Sequence, residues 1–372
     1  MAKRFSLKDH LFNAETLGQL AREYAAALPD FDAARFEAEA LSGLAELGLL
    51  ERLELIADCI EAQLPQDFPA MAEALEAAMP EPLDPGLGDD DFGHFIRAVP
   101  GILAVRHGLE AHRERALDLI HAATRRFSME FYIRPFLNRW PAETLERLAL
   151  WAGDPNYHVR RLVSEGTRPR LPWARAVALS AKDTLPLLDR LHADPTRYVT
   201  RSVANHLNDL TRSVPEAVIA RLEDWRGADR QDAAEMSWIA RHALRSLIKQ
   251  GHAGAMRHLG FDADAPVEVA LDLAPGRFAI GENLSFSCEL LSGTALPVLV
   301  DYRIRFARPG GRSAEKVFKL RRAELSPGVP LVLRKRHALK ADATTFTLHP
   351  GPHRLTLQIN GIDRAAAVFE LV

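Results

Sequence analysis

Two cysteines in 372 residues, Cys59 and Cys288, are too few and too far apart to staple a fold or ligate a metal. No run of eighteen or more apolar residues occurs, and Met1 to Phe5 lead into the charged Lys8 and Asp9, not into an apolar leader core. A soluble, cytoplasmic chain is the expectation. There is no Gly-x-Gly-x-x-Gly turn, no Walker loop, no Gly-x-Ser-x-Gly elbow and no His-Glu-x-x-His pair, which removes the sequence grounds for a nucleotide cofactor or serine hydrolysis. His158, His206 and His242 stand at no ligand spacing, so no metal is expected either. Lysine is scarce in the centre, with only Lys182 and Lys249 between residues 101 and 260, and this disfavours a Schiff-base step.

Charge of one sign is missing by region. Residues 1–100 carry a net −13, residues 101–260 a net +7 and residues 261–372 a net +3. A polyanion is repelled by the first stretch and attracted by the other two. Arginine far outnumbers lysine in the middle stretch, as suits the forked recognition of phosphate.

What is present is a repeat. Asp154-Pro155 recurs as Asp194-Pro195, Arg161 as Arg201 and Val163 as Val203, a period of forty that paired-helix solenoids of HEAT or armadillo type show. In the first unit Val159, Leu162 and Val163 have the three-and-four spacing of a buried stripe. Arg161, Ser164, Glu165 and Arg168 fall on another face, which is expected to be exposed. A shift of thirty-five upstream sets Arg126 under Arg161 and Glu130 under Glu165, and a shift of forty downstream sets Asn205 there. Asp209 lies one helical turn beyond Asn205. Asp154 and Asp194 read as turn and helix-start residues. A fourth unit has its helical pattern around Trp238 to Leu247.

Helical patterns fill residues 10–79. The proline-, glycine- and aspartate-rich stretch Met79 to Asp91 then reads as a long loop, and helices run again from about Phe92 to His258. First-turn prolines are expected at Pro141, Pro172, Pro186 and Pro215. After Gly260 the period becomes two, in Val267–Leu271, Leu284–Leu290, Val298–Phe306, Lys316–Leu320, Leu331–Leu333 and His353–Ile359. Proline-glycine pairs punctuate these strands at Pro275, Pro309, Pro327 and Pro350. The expected architecture is multidomain: an all-α HEAT-like helical repeat solenoid over residues 1–260, then an all-β immunoglobulin-like sandwich over residues 261–372.

The segment His158 to Trp173, the helix Ser202 to Leu210 and the strand Lys316 to Leu320 together resemble the AlkC branch of the bacterial HEAT-like-repeat alkylpurine DNA glycosylases. The string Arg160-Arg161-Leu162-Val163-Ser164-Glu165-Gly166-Thr167-Arg168-Pro169-Arg170-Leu171-Pro172-Trp173 is its specific element. The resemblance implies removal of cationic methylated bases such as 3-methyladenine from double-stranded DNA without flipping the base. It further implies a carboxy-terminal domain that closes around DNA opposite the repeats. There the basic cluster Arg334, Lys335, Arg336, His337 and Lys340 precedes the loop Thr344 to His353, in which Thr345 to His349 carries no arginine.

The residue chemistry suits that implication. A cationic base is already a good leaving group, so the demand is for negative charge beside an oxocarbenium-like sugar and for a positioned water. Glu130, Glu165 and Asp209 are the candidate carboxylates, and Trp173, just after Pro172 at an expected helix start, offers an aromatic face to the sugar or the cationic base. Arg126, Arg160, Arg161, Arg168, Arg201 and Asn205, with Arg334 and Arg336 in the second domain, are the candidate DNA contacts. With lysine scarce in the centre the enzyme is expected to be monofunctional, and it is expected to need no cofactor and to be monomeric. The repeats alone fit a second class equally well: a non-catalytic scaffold that binds DNA or a protein partner, in which Glu165 only pairs with Arg161.

Overall fold

Several helices in this chain begin where a side chain accepts the first free amides. Asn13 takes those of Glu15 and Thr16, Asp32 that of Arg35, and Asp67 that of Ala70. The computed structural model describes residues 6–84, 86, 93–341 and 346–372. Met1 to Phe5, most of the loop residues from Pro85 to Asp91, and Thr344 and Thr345 lie outside the described residues. The helices are α1 (Leu7–Leu11), α2 (Ala14–Ala27), α3 (Ala33–Gly43), α4 (Leu49–Glu61), α5 (Phe68–Ala77), α6 (Val99–Leu103), α7 (Arg113–Thr124) and α8 (Glu130–Arg139). They continue as α9 (Pro141–Trp151), α10 (Tyr157–Gly166), α11 (Ala181–Leu191), α12 (Arg197–Leu210), α13 (Pro215–Ala228), α14 (Ala233–Ala243), α15 (Arg245–Lys249) and α16 (Ala253–His258).

The chain divides into two units, Met1–Val214 with Asp224–His242, and Pro215–Glu223 with Ala243–Val372. In the first, α9 with α10 and α11 with α12 are the forty-residue repeat, since Tyr157 and Arg197 open the second helix of each. Here α10 packs against α8 on one side and α12 on the other. Gly166 permits the first of these contacts, because a Cβ there would fall 2.5 Å from Cγ2 of Ile133. Asp154 and Asp194 are turn residues as expected: each accepts the amide two residues on, from Asn156 and Thr196.

Pro141 and Pro215 open α9 and α13. The two other expected starts are corrected. Pro186 lies inside α11, because Ser180 and Asp183 form a capping box that starts the helix at Ala181, five residues upstream. Pro172 opens nothing: residues 168–180 contain neither helix nor strand.

In the second unit, β1 (Glu268–Asp272), β3 (Asn283–Leu291) and β6 (Leu331–Ala338) make one sheet in the order β1-β3-β6. A second sheet runs β2 (Arg277–Phe278), β8 (Ile362–Leu371), β7 (Gly351–Ile359), β4 (Leu296–Ala307), β5 (Ser313–Leu325). All pairings are antiparallel except that of β2 with β8. Alternate residues of β3 and β4 point inward, Leu284, Phe286, Cys288 and Leu290 against Val298, Val300, Tyr302, Ile304 and Phe306. The pairing of β4 with β5 shifts register at Val300/Asp301, where β5 carries the extra residue Leu320, and Asp301 is itself buried.

Candidate active site

The amphipathic pattern of α10 places Val159, Leu162 and Val163 in the core at 0% exposure. The opposite face, expected to be open, is buried as well. Arg161, Ser164 and Glu165 are 9%, 0% and 6% exposed, because α8 and α12 cover α10 from both sides. Periodicity tells which residues share a face, and it does not tell whether another helix covers that face.

Burial of so many charges is tolerated because each meets an opposite one. The Glu165 carboxylate has Oε1 2.6 Å from Nη1 of Arg168 and 3.9 Å from Nη2 of Arg161. The Ser202 hydroxyl donates to its Oε2 at 2.6 Å and lies 2.9 Å from Ser164 Oγ. Arg161 donates from Nη1 to Glu130 Oε2 at 3.1 Å and to Ser128 Oγ at 2.8 Å, and Ser128 itself bonds Glu130. Its guanidinium also lies over the Tyr198 ring, 4.9 Å from the ring centre. Arg168 reaches on through Nε to Asp209 Oδ2 at 2.9 Å. The result is an alternating chain, Glu130, Arg161, Glu165, Arg168, Asp209, with one more carboxylate than guanidinium.

The two glutamates differ in proton affinity. Burial pushes the Glu165 carboxyl up, but Arg161, Arg168 and the Ser202 hydrogen bond together outweigh it and hold the group below the usual carboxylate range. At Glu130 burial wins, with the charge of Glu165 adding to it against Arg161, and the carboxyl is raised. Beneath them His206 lies 3.0 Å through Nδ1 from the Ser164 carbonyl, and burial drives its pKa down to about 3, so it is a neutral donor.

The remaining expected residues are dispersed. Glu130 is the first residue of α8, whereas Glu165 and Asn205 are each the ninth of their helices. The forty-residue register therefore holds and the thirty-five-residue one is corrected; Glu130 arrives beside Glu165 because the start of α8 packs on the middle of α10. Arg126 is not under Arg161 but donates to the carbonyls of Pro80 and Ala122. Arg160 forms a fork on Asp194 and bonds the carbonyls of Asp154 and Pro155. Asn205 Oδ1 is 2.9 Å from His242 Nε2, and Arg201 is half-buried. Arg334 and Arg336 are exposed on β6 beside a concavity that also includes Ser285 and Ser287.

Trp173 is 72% exposed and sits at φ +63°, a left-handed conformation that costs a bulky residue of order 1–3 kcal/mol. It borders a cavity of about 280 Å³ lined also by Phe131, Tyr132 and Pro135 of α8 and by Arg175. Sequence patterns missed Ser128, Ser202 and the fully buried Arg134, as well as Arg170 and Arg175, the exposed cations on the loop that carries Trp173. Arg170 stands in the specific string beside Arg161, but only Arg170 is exposed, since the Arg161 guanidinium is taken up by Glu130 and Glu165. Among the described residues no three His, Cys, Asp or Glu are grouped to hold a metal ion, and no helix is long and apolar enough to cross a membrane.

Residues 268–372 match the family described as "Uncharacterised protein YhaZ, C-terminal Ig-like domain". Over 370 residues the chain is 31% identical to the uncharacterized protein YhaZ of Bacillus subtilis (strain 168), which covers 97% of this chain and 98% of that one. Among solved structures it is similar to the Pseudomonas fluorescens alkylpurine DNA glycosylase AlkC bound to DNA containing an abasic site analog. That match has 35% identity and a TM-score of 0.85, covering 99% of this chain and 100% of the other.

Proposed function

The chain belongs to the family of AlkC and YhaZ, and from that premise we propose that it is a DNA repair glycosylase. Its substrates are cationic N-alkylated bases of the 3-methyladenine type in double-stranded DNA. It hydrolyses the N-glycosidic bond, leaves an abasic site, and works without flipping the base.

As the C1′–N bond breaks, its electron pair passes to the charged base, which departs neutral, and the positive charge moves to C1′ and O4′ of the sugar. Water then adds at C1′ and gives up a proton. A group that favours charge on the sugar over charge on the base accelerates this step, since only the change between ground and transition state counts. Glu165 is suited to that role, because Arg161, Arg168 and Ser202 keep it ionised. A carboxylate about 4 Å from a unit positive charge gains about 4 kcal/mol at an effective dielectric near 20, an upper bound of about three powers of ten in rate. Glu130, with its raised affinity for protons, is the better base for the water, and Asp209 anchors Arg168. The exposed ring of Trp173 lies against the sugar or base. Arg170 and Arg175 meet the phosphates, and Arg161 and Arg168 act chiefly by holding the carboxylates.

The observation that carries this reading is the ionised Glu165 carboxylate, buried between two guanidiniums beside Glu130 and Asp209. The test is release of free methylated base when purified protein is mixed in excess with methylated duplex DNA. Binding without release at any pH leaves the scaffold reading in its place.

A further inference from the structure

The segment between α10 and α11, Thr167 to Ser180, carries Arg168, Arg170, Trp173 and Arg175 without a helix or strand of its own. Such segments are ordinarily mobile. This one is tied to α8 on both sides of Trp173. Arg134 donates from Nη1 to the carbonyls of Gly166 at 3.0 Å and Arg168 at 2.8 Å, and from Nε to the carbonyl of Arg175. Asn138 donates from Nδ2 to the carbonyl of Ala176 at 2.9 Å and accepts the amide of Ala178 at 3.1 Å.

Arg134 is 0% exposed, and its bonded partners are main-chain carbonyls, with Nη2 left unpaired. Burying a guanidinium on those terms is costly. The negative end of α10, whose last residue, Gly166, supplies one of these carbonyls, offsets part of that cost. Glu130, Arg134 and Asn138 are spaced four apart and so share one stripe of α8. The helix that brings Glu130 to the site therefore also fixes the loop that presents Trp173, and its Phe131 and Tyr132 line the same cavity as the indole.

We propose that Arg134 and Asn138 are positioning residues: a clamp on α8 that holds Trp173 and its strained backbone in register with Glu130 and Glu165. The catalytic part of this proposal rests on the glycosylase reading. The mechanical part does not.

The experiment is a double-mutant cycle of Asn138→Ala with Trp173→Ala, read by single-turnover base release, together with fluorescence anisotropy of Trp173 isolated as the difference from Trp173→Phe. Asn138 is exposed, so Asn138→Ala folds even where Arg134 variants do not. Asn138→Ala is expected to slow release about fivefold, a larger loss than any in DNA affinity through the neighbouring Arg175, as small misplacements of a reacting group do, and to lower the anisotropy of Trp173. In the Trp173→Ala background the same change is expected to cost nothing more. Arg134→Lys, which restores a donor, is expected to lose less than Arg134→Met. Losses that multiply across the cycle, or an unchanged anisotropy in Asn138→Ala, overturn the clamp. Should the unmodified protein release no base, the glycosylase reading fails while the anisotropy still decides the clamp.

Discussion

Glu165→Gln separates electrostatic catalysis from structural pairing, because it keeps the shape of the side chain and removes only its charge. In the structure Arg161 then still has Glu130 at 3.1 Å and Arg168 still has Asp209 at 2.9 Å, and Ser202 can still donate to the amide oxygen. Breaking a buried ion pair outright costs about 3–5 kcal/mol. With both guanidiniums keeping a second carboxylate, a loss of about 1–3 kcal/mol in folding stability is expected. Its pH dependence has a definite sign: the folded pKa of Glu165 is depressed, so its contribution is present above the ordinary value of 4.5 and is lost as pH falls through the lower folded value. The stability gap between the two proteins should accordingly narrow as pH drops below that point. Against a rate term bounded near 4 kcal/mol, base release should slow by about tenfold to a thousandfold, while DNA affinity changes by less than about threefold. Thermal unfolding, a salt-matched binding titration and single-turnover excision measure the three quantities. An unmodified excision rate in a folded, DNA-binding variant refutes the electrostatic role; Glu165 is then a partner of the two arginines, and the catalytic carboxylate is Glu130 or Asp209.

The raised carboxyl of Glu130 predicts that release falls on the acid side at a pH above the usual carboxylate range, and that Glu130→Gln is slow with that limb absent from its pH–rate profile. Trp173→Gly should relieve the strain of the left-handed backbone and raise stability by up to about 1 kcal/mol while slowing release; a lower melting temperature would show the indole to be a packing residue. Arg170→Ala and Arg175→Ala should each weaken binding to alkylated and plain duplex alike and lower the salt slope by about one, and an unaltered slope removes them from the phosphate contact. Burial raises Asp301 to about 6 from 3.8 with Oδ1 unpaired, so its fold favours the protonated acid and that advantage is lost as pH rises through about 6. Asp301→Asn should therefore stabilise the protein by on the order of 2 kcal/mol at pH 8 and by little at pH 4, checked by melting temperature across that range.

Local pattern was enough for most of the element types. A period of forty placed α10 and α12 in one register, and alternation located six of the eight strands among the described residues. The strand β8 escaped because Arg364-Ala365-Ala366-Ala367 reads by propensity as helix, and only its pairing with β7 and β2 makes it a strand. The two-residue β2 is too short to carry a period.

The residue types of the site were likewise legible, since Glu165, Arg161, Arg168 and Trp173 stand in one continuous string and Asp209 in the next repeat. Their states were not. Whether a polar face meets solvent depends on the helices that cover it, and α8 and α12 turn the expected open face of α10 into a buried chain of alternating charge. Proton affinity follows from the same packing: two glutamates of one chemistry are shifted in opposite directions because Glu165 lies between two guanidiniums while burial prevails at Glu130. Sequence alone determined that this is a helical repeat followed by a sandwich, and which charged residues share a helix face, because both depend on spacings along one segment. The meeting of Glu130 with Glu165, the pairing of Arg161 with Glu130, and the hold of Arg134 on the Trp173 loop were decided only by tertiary structure, because each depends on distances between segments about thirty to forty residues apart.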